Sequence, residues 1–202
     1  MIILDIETTG LNPSVNGLLS IGALCFDNPE KQFYEECRID DSDIITEEAL
    51  MINGFSREQI FDQRKQTQDE LIKRFFEWVD EQEIRILAGH NVGFFDLNFI
   101  KTKADKYNIN VRIQYRSIDL CSVAQLIYFK INNKFLFDDY KENAMSLGEV
   151  LKFCGLKDER KFHNALEDVK LAAECFSRLI HGKGLFLEYN NFKIPEYLIQ
   201  NK

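Results

Sequence analysis

The sequence predicts one α/β domain, a mixed sheet flanked by helices. Three observations carry that reading. Three β-like runs follow one another at the N-terminus, a further strand pattern then alternates with helical patterns, and no Pro-, Gly- or Ser-rich stretch divides the chain. At 202 residues the chain suits one domain with a sizeable core.

Residues 2–4 are a short apolar run opening into Asp5-Ile6-Glu7, the pattern of a strand buried on both faces. Residues 18–26 are a second β-like run. Asp27-Asn28-Pro29 is a turn signal, and residues 32–39 pair back as a hairpin. Residues 46–52 predict a short helix that stops at Asn53-Gly54, a C-terminal cap. Thr67 and Glu70 have capping-box spacing, and Leu71, Phe75, Trp78 and Val79 recur behind them at helical spacing. Residues 84–88 read as a strand. Residues 96–107 read as a helix with Phe99, Ile100, Ala104 and Tyr107 on one face, and residues 120–129 as another. Ser146 and Glu149 repeat the capping-box spacing before a helix ending at Gly155, and residues 164–179 form the last long helix. Residues 130–143 carry Phe135-Leu136-Phe137 among polar residues and read as an insertion or lid. Residues 182–202 read as a C-terminal extension of a domain spanning residues 1–181, apolar enough through Leu185, Phe186, Leu187, Tyr189 and Phe192 to pack back on it.

Apolar residues make up 45% and charged residues 29%, the balance of a folded soluble protein. The five cysteines are odd in number, widely spaced and form no CxxC pair, which speaks against a disulfide framework or a cysteine zinc site and fits a reducing cytoplasm. No apolar run has transmembrane length, and the opening MIILDIETTG lacks the basic region of a signal peptide, so no membrane partner is expected. A net charge of −8 argues against a protein that coats long duplexes. It does not exclude a site that holds a few phosphates through metal ions.

Asp5 and Glu7 lie two apart on a strand, so both side chains leave one face. Taken alone, such a pair also marks where a strand leaves the core. Asp96 heads the apolar stripe of its helix, and Asp168 lies between Ala165 and Ala172 on the stripe of the last helix. Both are costly positions for an ionised carboxylate unless it is paired or bound to metal. Asn164 and Glu167 have the spacing of an N-cap and its partner, which starts the helix at Ala165 and leaves His163 just outside, free to point over the helix end. Four carboxylates gathered at one place need cations to coexist, and oxygen ligands select Mg²⁺ or Mn²⁺. Two such ions can clamp an in-line phosphodiester displacement, and an imidazole nearby can take a proton from the attacking water.

The motifs resemble those of the DEDDh (DnaQ-like) exonucleases. Asp5-Ile6-Glu7-Thr8-Thr9-Gly10 is similar to the first, Gly89-His90-Asn91 with Phe95-Asp96-Leu97-Asn98-Phe99-Ile100 to the second, and His163-Asn164-Ala165-Leu166-Glu167-Asp168-Val169 to the third. Residues 46–56 resemble a family linker, with Asn53 where the family often has His. The second motif holds three residues, Val92, Gly93 and Phe94, where the family usually has two, and Gly93 is expected to absorb the extra one in a bulge.

The resemblance implies a ribonuclease H-like fold with a five-stranded mixed sheet. It implies two divalent ions, Mg²⁺ or Mn²⁺, on Asp5, Glu7, Asp96 and Asp168, with His163 as general base. It places Thr8, Thr9 and Leu11 at the terminal nucleotide, with Asn91 and Phe95 shaping the pocket.

The expected activity is removal of nucleoside 5′-monophosphates from the 3′ end of single-stranded DNA or RNA. A homodimer or a polymerase is the further partner to consider. Lys157, Arg160, Lys161, Lys101, Lys103 and Lys106 flank the motifs and either meet phosphates or form a solvated face. Phe94 either stacks on a base or packs in the core. Competing readings are a proofreading subunit, a non-catalytic nucleic-acid-binding domain, which would have lost a ligand, and a small-molecule phosphodiesterase.

Overall fold

The computed structural model describes residues 1–113 and 116–199. Strand β1 (Ile2–Thr8) pairs antiparallel with β2 (Leu18–Cys25), which pairs antiparallel with β3 (Asn28–Glu36). The turn is tighter than the sequence predicts: Phe26-Asp27 makes it, and Asn28 and Pro29 already belong to β3. Proline is tolerated there because β3 is an edge strand. Helices α1 (Glu47–Asn53), α2 (Arg57–Ile60) and α3 (Gln68–Asp80) follow. Gly54 ends α1 with φ +73°, and Thr67 and Glu70 close a full capping box on α3.

Strand β4 (Leu87–Gly89) is shorter and later than the expected strand over 84–88. Ile84 and Ile86 are exposed, and Ile86 contributes only its carbonyl, which accepts from Ile2 N at 2.8 Å. After α4 (Asp96–Lys106), β5 (Ile118–Asp119) leads directly into α5 (Leu120–Asn132). Helix α6 (Leu147–Phe153) is capped by Ser146. Its box is half formed, because the Glu149 side chain pairs with Lys152. Helix α7 (Ala165–His181), a 3-10 turn (Leu187–Tyr189) and α8 (Glu196–Ile199) complete the described chain.

The sheet order is β3-β2-β1-β4-β5, with β4 and β5 parallel to β1. Both faces of β1 are covered, which is why it reads as a nearly continuous apolar run. Ile2, Leu4 and Ile6 pack with Leu71, Phe75, Phe99 and Ile100 of α3 and α4. Ile3 packs on the opposite face with residues of α5, α6 and α7, including Leu120, Val169 and Phe176. Each such side chain, fully buried, stabilises the fold by about 1.5–3 kcal/mol. The central strand is thereby a rigid base for anything its C-terminal end carries.

The segment expected as an insertion or lid is fastened to α5. Gln125 accepts from Leu136 N at 3.0 Å, and its amide donates to Leu136 O. Phe135 and Phe137 stay half-exposed. The C-terminal segment packs on α7 through Leu185, Phe186, Tyr189, Phe192 and buried Leu198. Leu187, expected in that contact, is 87% exposed. All five cysteines are free. No helix among the described residues is long and apolar enough to cross a membrane.

Candidate active site

Asp5 and Glu7 leave β1 on the face shared with Ile3, beneath α7. Helix α7 reaches that face because the residue paired with Asp5 in β2 is Gly22. A Cβ at Gly22 would stand 2.4 Å from the Ala165 carbonyl carbon. An isolated glycine in an apolar strand is a sequence sign of such an approach. Asn164 caps α7 by accepting from Leu166 N and Glu167 N, and its amide donates to the Tyr34 hydroxyl at 2.9 Å. The Glu167 carboxylate accepts from Lys170 at 2.8 Å. The first turn of α7 is thus pinned to the sheet, with Asp168 buried on its inner face.

Asp96 sits in the first turn of α4, where a helix N-terminus favours a carboxylate. It is 2% exposed, and its Oδ1 accepts from Ile6 N at 3.1 Å. That bond ties the second acidic element to the backbone between Asp5 and Glu7.

His163 is held by α1. Its backbone N donates to Ile52 O at 2.8 Å. The preceding ring, Phe162, lies where a Cβ on Gly54 would meet it at 2.7 Å. Asn53 fixes that corner in turn, donating to Thr8 O at 3.0 Å. From there His163 Nδ1 is 3.4 Å from Asp168 Oδ2.

The four carboxylates repel and are poorly hydrated. Burial, then Asp96, Glu7 and Asp168, raises Asp5 well above the usual carboxylate range. Burial, then Asp168 and Asp96, pushes Glu7 up to about 8. Burial pushes Asp96 up to about 8 against the pull of two backbone donors. Asp168 is raised by burial, although Arg160 and His163 draw it back. Ligand atoms of Glu7, His163 and Asp168 all lie within 4.8 Å of one another. Asp168 Oδ1 is buried without a hydrogen-bond partner. An orphaned carboxylate oxygen among other acids fits a hard divalent cation.

A pocket of about 730 Å³ opens over this cluster, room enough for a nucleotide. Asp5, Glu7, His163 and Asp168 stand along its acidic side. Thr8, Leu11 and Phe95 line it, with Leu11 82% exposed. Thr9 is fully buried elsewhere, donating to Ile44 O and accepting from Gly17 N. Asn91 is exposed and is not part of the wall; His90 is, with Nε2 donating to Met145 O at 3.0 Å. Asn91 in the second motif has a φ of +56°, and Gly93 does not adopt a positive φ. Phe94 is 88% exposed, so it is not a core residue.

The basic residues sort differently from their sequence neighbourhoods. Lys103 is buried against Asp43 at 3.1 Å, Lys106 pairs with Asp40 and Asp43, and Lys101 pairs with Asp105. Arg160 enters the cluster, with Nη1 2.8 Å from Asp168 Oδ2. The structure adds Gly22, Asn53, Gly54 and His90 to the residues that build or line the site.

A mixed five-stranded sheet whose first strand, with two helix N-termini, gathers four carboxylates is the ribonuclease H-like nuclease arrangement. The family model described as "Exonuclease", RNase_T, matches residues 2–176, and the chain belongs to that family, the DEDDh 3′–5′ exonucleases. It is 25% identical over 179 residues to the PolC-type DNA polymerase III of Thermotoga maritima, covering 89% of this chain and 12% of that protein. It is 27% identical over 184 residues to DNA polymerase III subunit epsilon of Buchnera aphidicola, covering 87% of this chain and 69% of that protein. In fold it is similar to E. coli exonuclease I in complex with a dT13 oligonucleotide, with a TM-score of 0.68, 17% identity, and coverage of 88% of this chain and 40% of that one. Exonuclease I from Methylocaldum szegediense gives a TM-score of 0.67 at 19% identity, covering 90% of this chain and 41% of that one. The chain therefore spans a small part of the PolC-type polymerases and about two fifths of exonuclease I.

Proposed function

We propose that this chain hydrolyses phosphodiester bonds from the 3′ end of single-stranded DNA or RNA and releases nucleoside 5′-monophosphates. The observation that carries the reading is the convergence of Asp5, Glu7, Asp96 and Asp168, with His163 beside Asp168. Asp5, Glu7, Asp96 and Asp168 would hold two divalent ions, Mg²⁺ or Mn²⁺, whose charge would neutralise the acids and supply Lewis-acid stabilisation for a phosphodiester displacement. His163, at the open edge of the cluster with its side chain 45% exposed, takes the proton from the attacking water. Leu11, Thr8 and Phe95 receive the terminal nucleotide in the pocket. The Ile6 N–H and the α4 N-terminus hold Asp96 against β1 between Asp5 and Glu7.

The names of the two polymerase III relatives favour action beside a polymerase as the cellular setting. Co-purification of the tagged chain with a polymerase subunit would test it, and persistent failure under crosslinking would count against it.

The activity is tested by digesting 3′- and 5′-labelled DNA and RNA oligonucleotides with Mg²⁺, Mn²⁺ or chelator. Stepwise shortening from the 3′ end, lost in chelator, is the expected result. No shortening, or cleavage of a simple phosphodiester with oligonucleotides untouched, would overturn the reading.

A further inference from the structure

Helix α5 leaves one row of side chains uncovered. Ser122, Leu126 and Phe129 are exposed at one-turn spacing. Beside that row the chain lays an ordered hairpin. Phe137 and Asn143 bridge antiparallel, and Asp138 accepts from Tyr140 N at 2.9 Å and Glu142 N at 3.0 Å. The Gln125 clasp on Leu136 turns that side chain toward the core, so Phe135 and Phe137 on either side of it face outward. The rings of Phe129 and Phe135 stack with centroids 4.6 Å apart, and Lys141 Nζ lies 4.4 Å from the centre of the Phe137 ring. Between helix and hairpin lies a cleft of about 490 Å³, whose lining includes Ser122, Leu126, Phe135, Phe137 and Lys141. Exposed rings on a backbone fastened by polar clasps do little for the core and mark a binding surface.

Both walls of the cleft lead to the candidate active site. Asp119, the N-cap of α5, pairs with Gly89 of β4, the neighbour of His90 in the pocket wall. Past the hairpin, Met145 O meets His90 Nε2 at 3.0 Å, and Leu147 lines the pocket. Along the helix axis, Ser122 and Leu126 lie within about 10 Å of Asp119. A strand leaving the pocket past His90 therefore meets the cleft.

Charge narrows the occupant further. Across residues 130–143, Lys130, Lys134 and Lys141 balance Asp138, Asp139 and Glu142, so the segment is neutral in a chain of net charge −8. It neither repels a phosphate backbone nor attracts it strongly. Binding there must come from the ring faces, and any base has a π-face to offer them. We propose that the cleft is a distal subsite for single-stranded nucleic acid, in which bases on the 5′ side of the scissile bond stack on Phe135 and Phe137. The inference rests on the 3′-end reading above and extends it along the strand.

The test compares trimming of dT3 and dT12 by the wild type and by three double variants: Phe135→Ala with Phe137→Ala, Phe135→Leu with Phe137→Leu, and Phe135→Tyr with Phe137→Tyr. Binding of 5′-fluorescein-labelled dT12 in chelator is followed by anisotropy. In the alanine and leucine variants KM for dT12 and the anisotropy Kd should rise about tenfold, the loss of a base stack. Turnover at saturation and trimming of dT3 should stay within about twofold. Leucine keeps the apolar volume without the ring, whereas tyrosine keeps the ring and should bind like the wild type. The loss should be equal at low and high salt, because no charge has been removed. Unchanged dT12 binding in the alanine variant would leave the cleft to a protein partner and overturns the inference. A leucine variant that binds like the wild type, or an equal loss on dT3 and dT12, overturns it too. Each of these results leaves the exonuclease reading intact. If no protein shortens either oligonucleotide, that reading falls, while a tenfold anisotropy difference between the wild type and the alanine variant still supports the cleft.

Discussion

Two buried carboxylates on α7 live in opposite surroundings. Glu174 is fully buried and fully partnered: Oε1 accepts from Arg178 Nε at 2.7 Å, and Oε2 accepts from Leu185 N and Phe186 N at 2.7 and 3.0 Å. Arg178 passes its other donors to Cys154 O and Tyr189 O, both at 3.1 Å. The pair locks the C-terminal segment onto the helix. Asp168, nearer the N-terminus of the same helix, faces three further acids and keeps an unpartnered oxygen. A buried acid with both oxygens satisfied is structural. Asp168 has Arg160 on one oxygen only, and the other oxygen, unpartnered among like charges, suits a further cation.

The sharpest way to break the comparison is to remove one acid from each place. Asp5→Ala or Asp168→Ala should lower 3′-end trimming by on the order of a thousandfold or more. Melting in chelator should stay cooperative. Glu174→Ala should do the reverse: it leaves Arg178 buried and unpaired, costing about 3–5 kcal/mol of stability, a fall of roughly 10 °C in melting temperature, with near-normal turnover at low temperature. If Glu174→Ala melts like the wild type, the distinction between the two acids fails.

Next in size, His163→Ala should slow trimming by about a hundredfold or more at saturating metal, with oligonucleotide affinity retained. A rate within a few-fold of wild type would remove His163 from the proton transfer.

The electrostatic contrast also predicts a pH slope. Folding raises Glu7 from 4.5 to about 8 and Asp96 from 3.8 to about 8. Between those limits the folded chain holds more protons than the unfolded one, so stability declines as pH rises. In chelator the melting temperature should fall by on the order of 5 °C between about pH 5 and pH 8, then flatten. Saturating Mn²⁺ should abolish the slope. A melting temperature that rises with pH in chelator would contradict the burial of ionisable acids here.

The smallest expected effect is at Gly54. Alanine there meets a positive φ and the Phe162 ring. It should cost about 1 kcal/mol of stability and several-fold in rate through a displaced His163. Unchanged kinetics would show that α1 does not position the histidine.

What could be read from the sequence followed local rules. The pairing of Asp5 with Glu7 on one face, the caps at Thr67, Ser146 and Asn164, and the start of α7 at Ala165 all depend on spacing within a few residues. What could not be read depended on distant neighbours. β4 is short because only Leu87, Ala88 and Gly89 lie between its partner strands, while Ile84 and Ile86 cross the surface. Lys103 and Arg160 look alike as basic residues near motifs. One pairs with Asp43 outside the pocket lining, and the other enters it. Gly93, where a bulge was expected, has no positive φ; the left-handed residue of that stretch is Asn91, since asparagine tolerates that conformation and its carbonyl accepts from Phe94 N and Phe95 N there.

The most direct test is an anomalous difference map from crystals soaked in Mn²⁺ at neutral pH. Peaks enclosed by the carboxylates of Asp5, Glu7, Asp96 and Asp168, and none at the equally buried Glu174, are the predicted result. An empty cluster at saturating Mn²⁺, with those four side chains ordered, would contradict it.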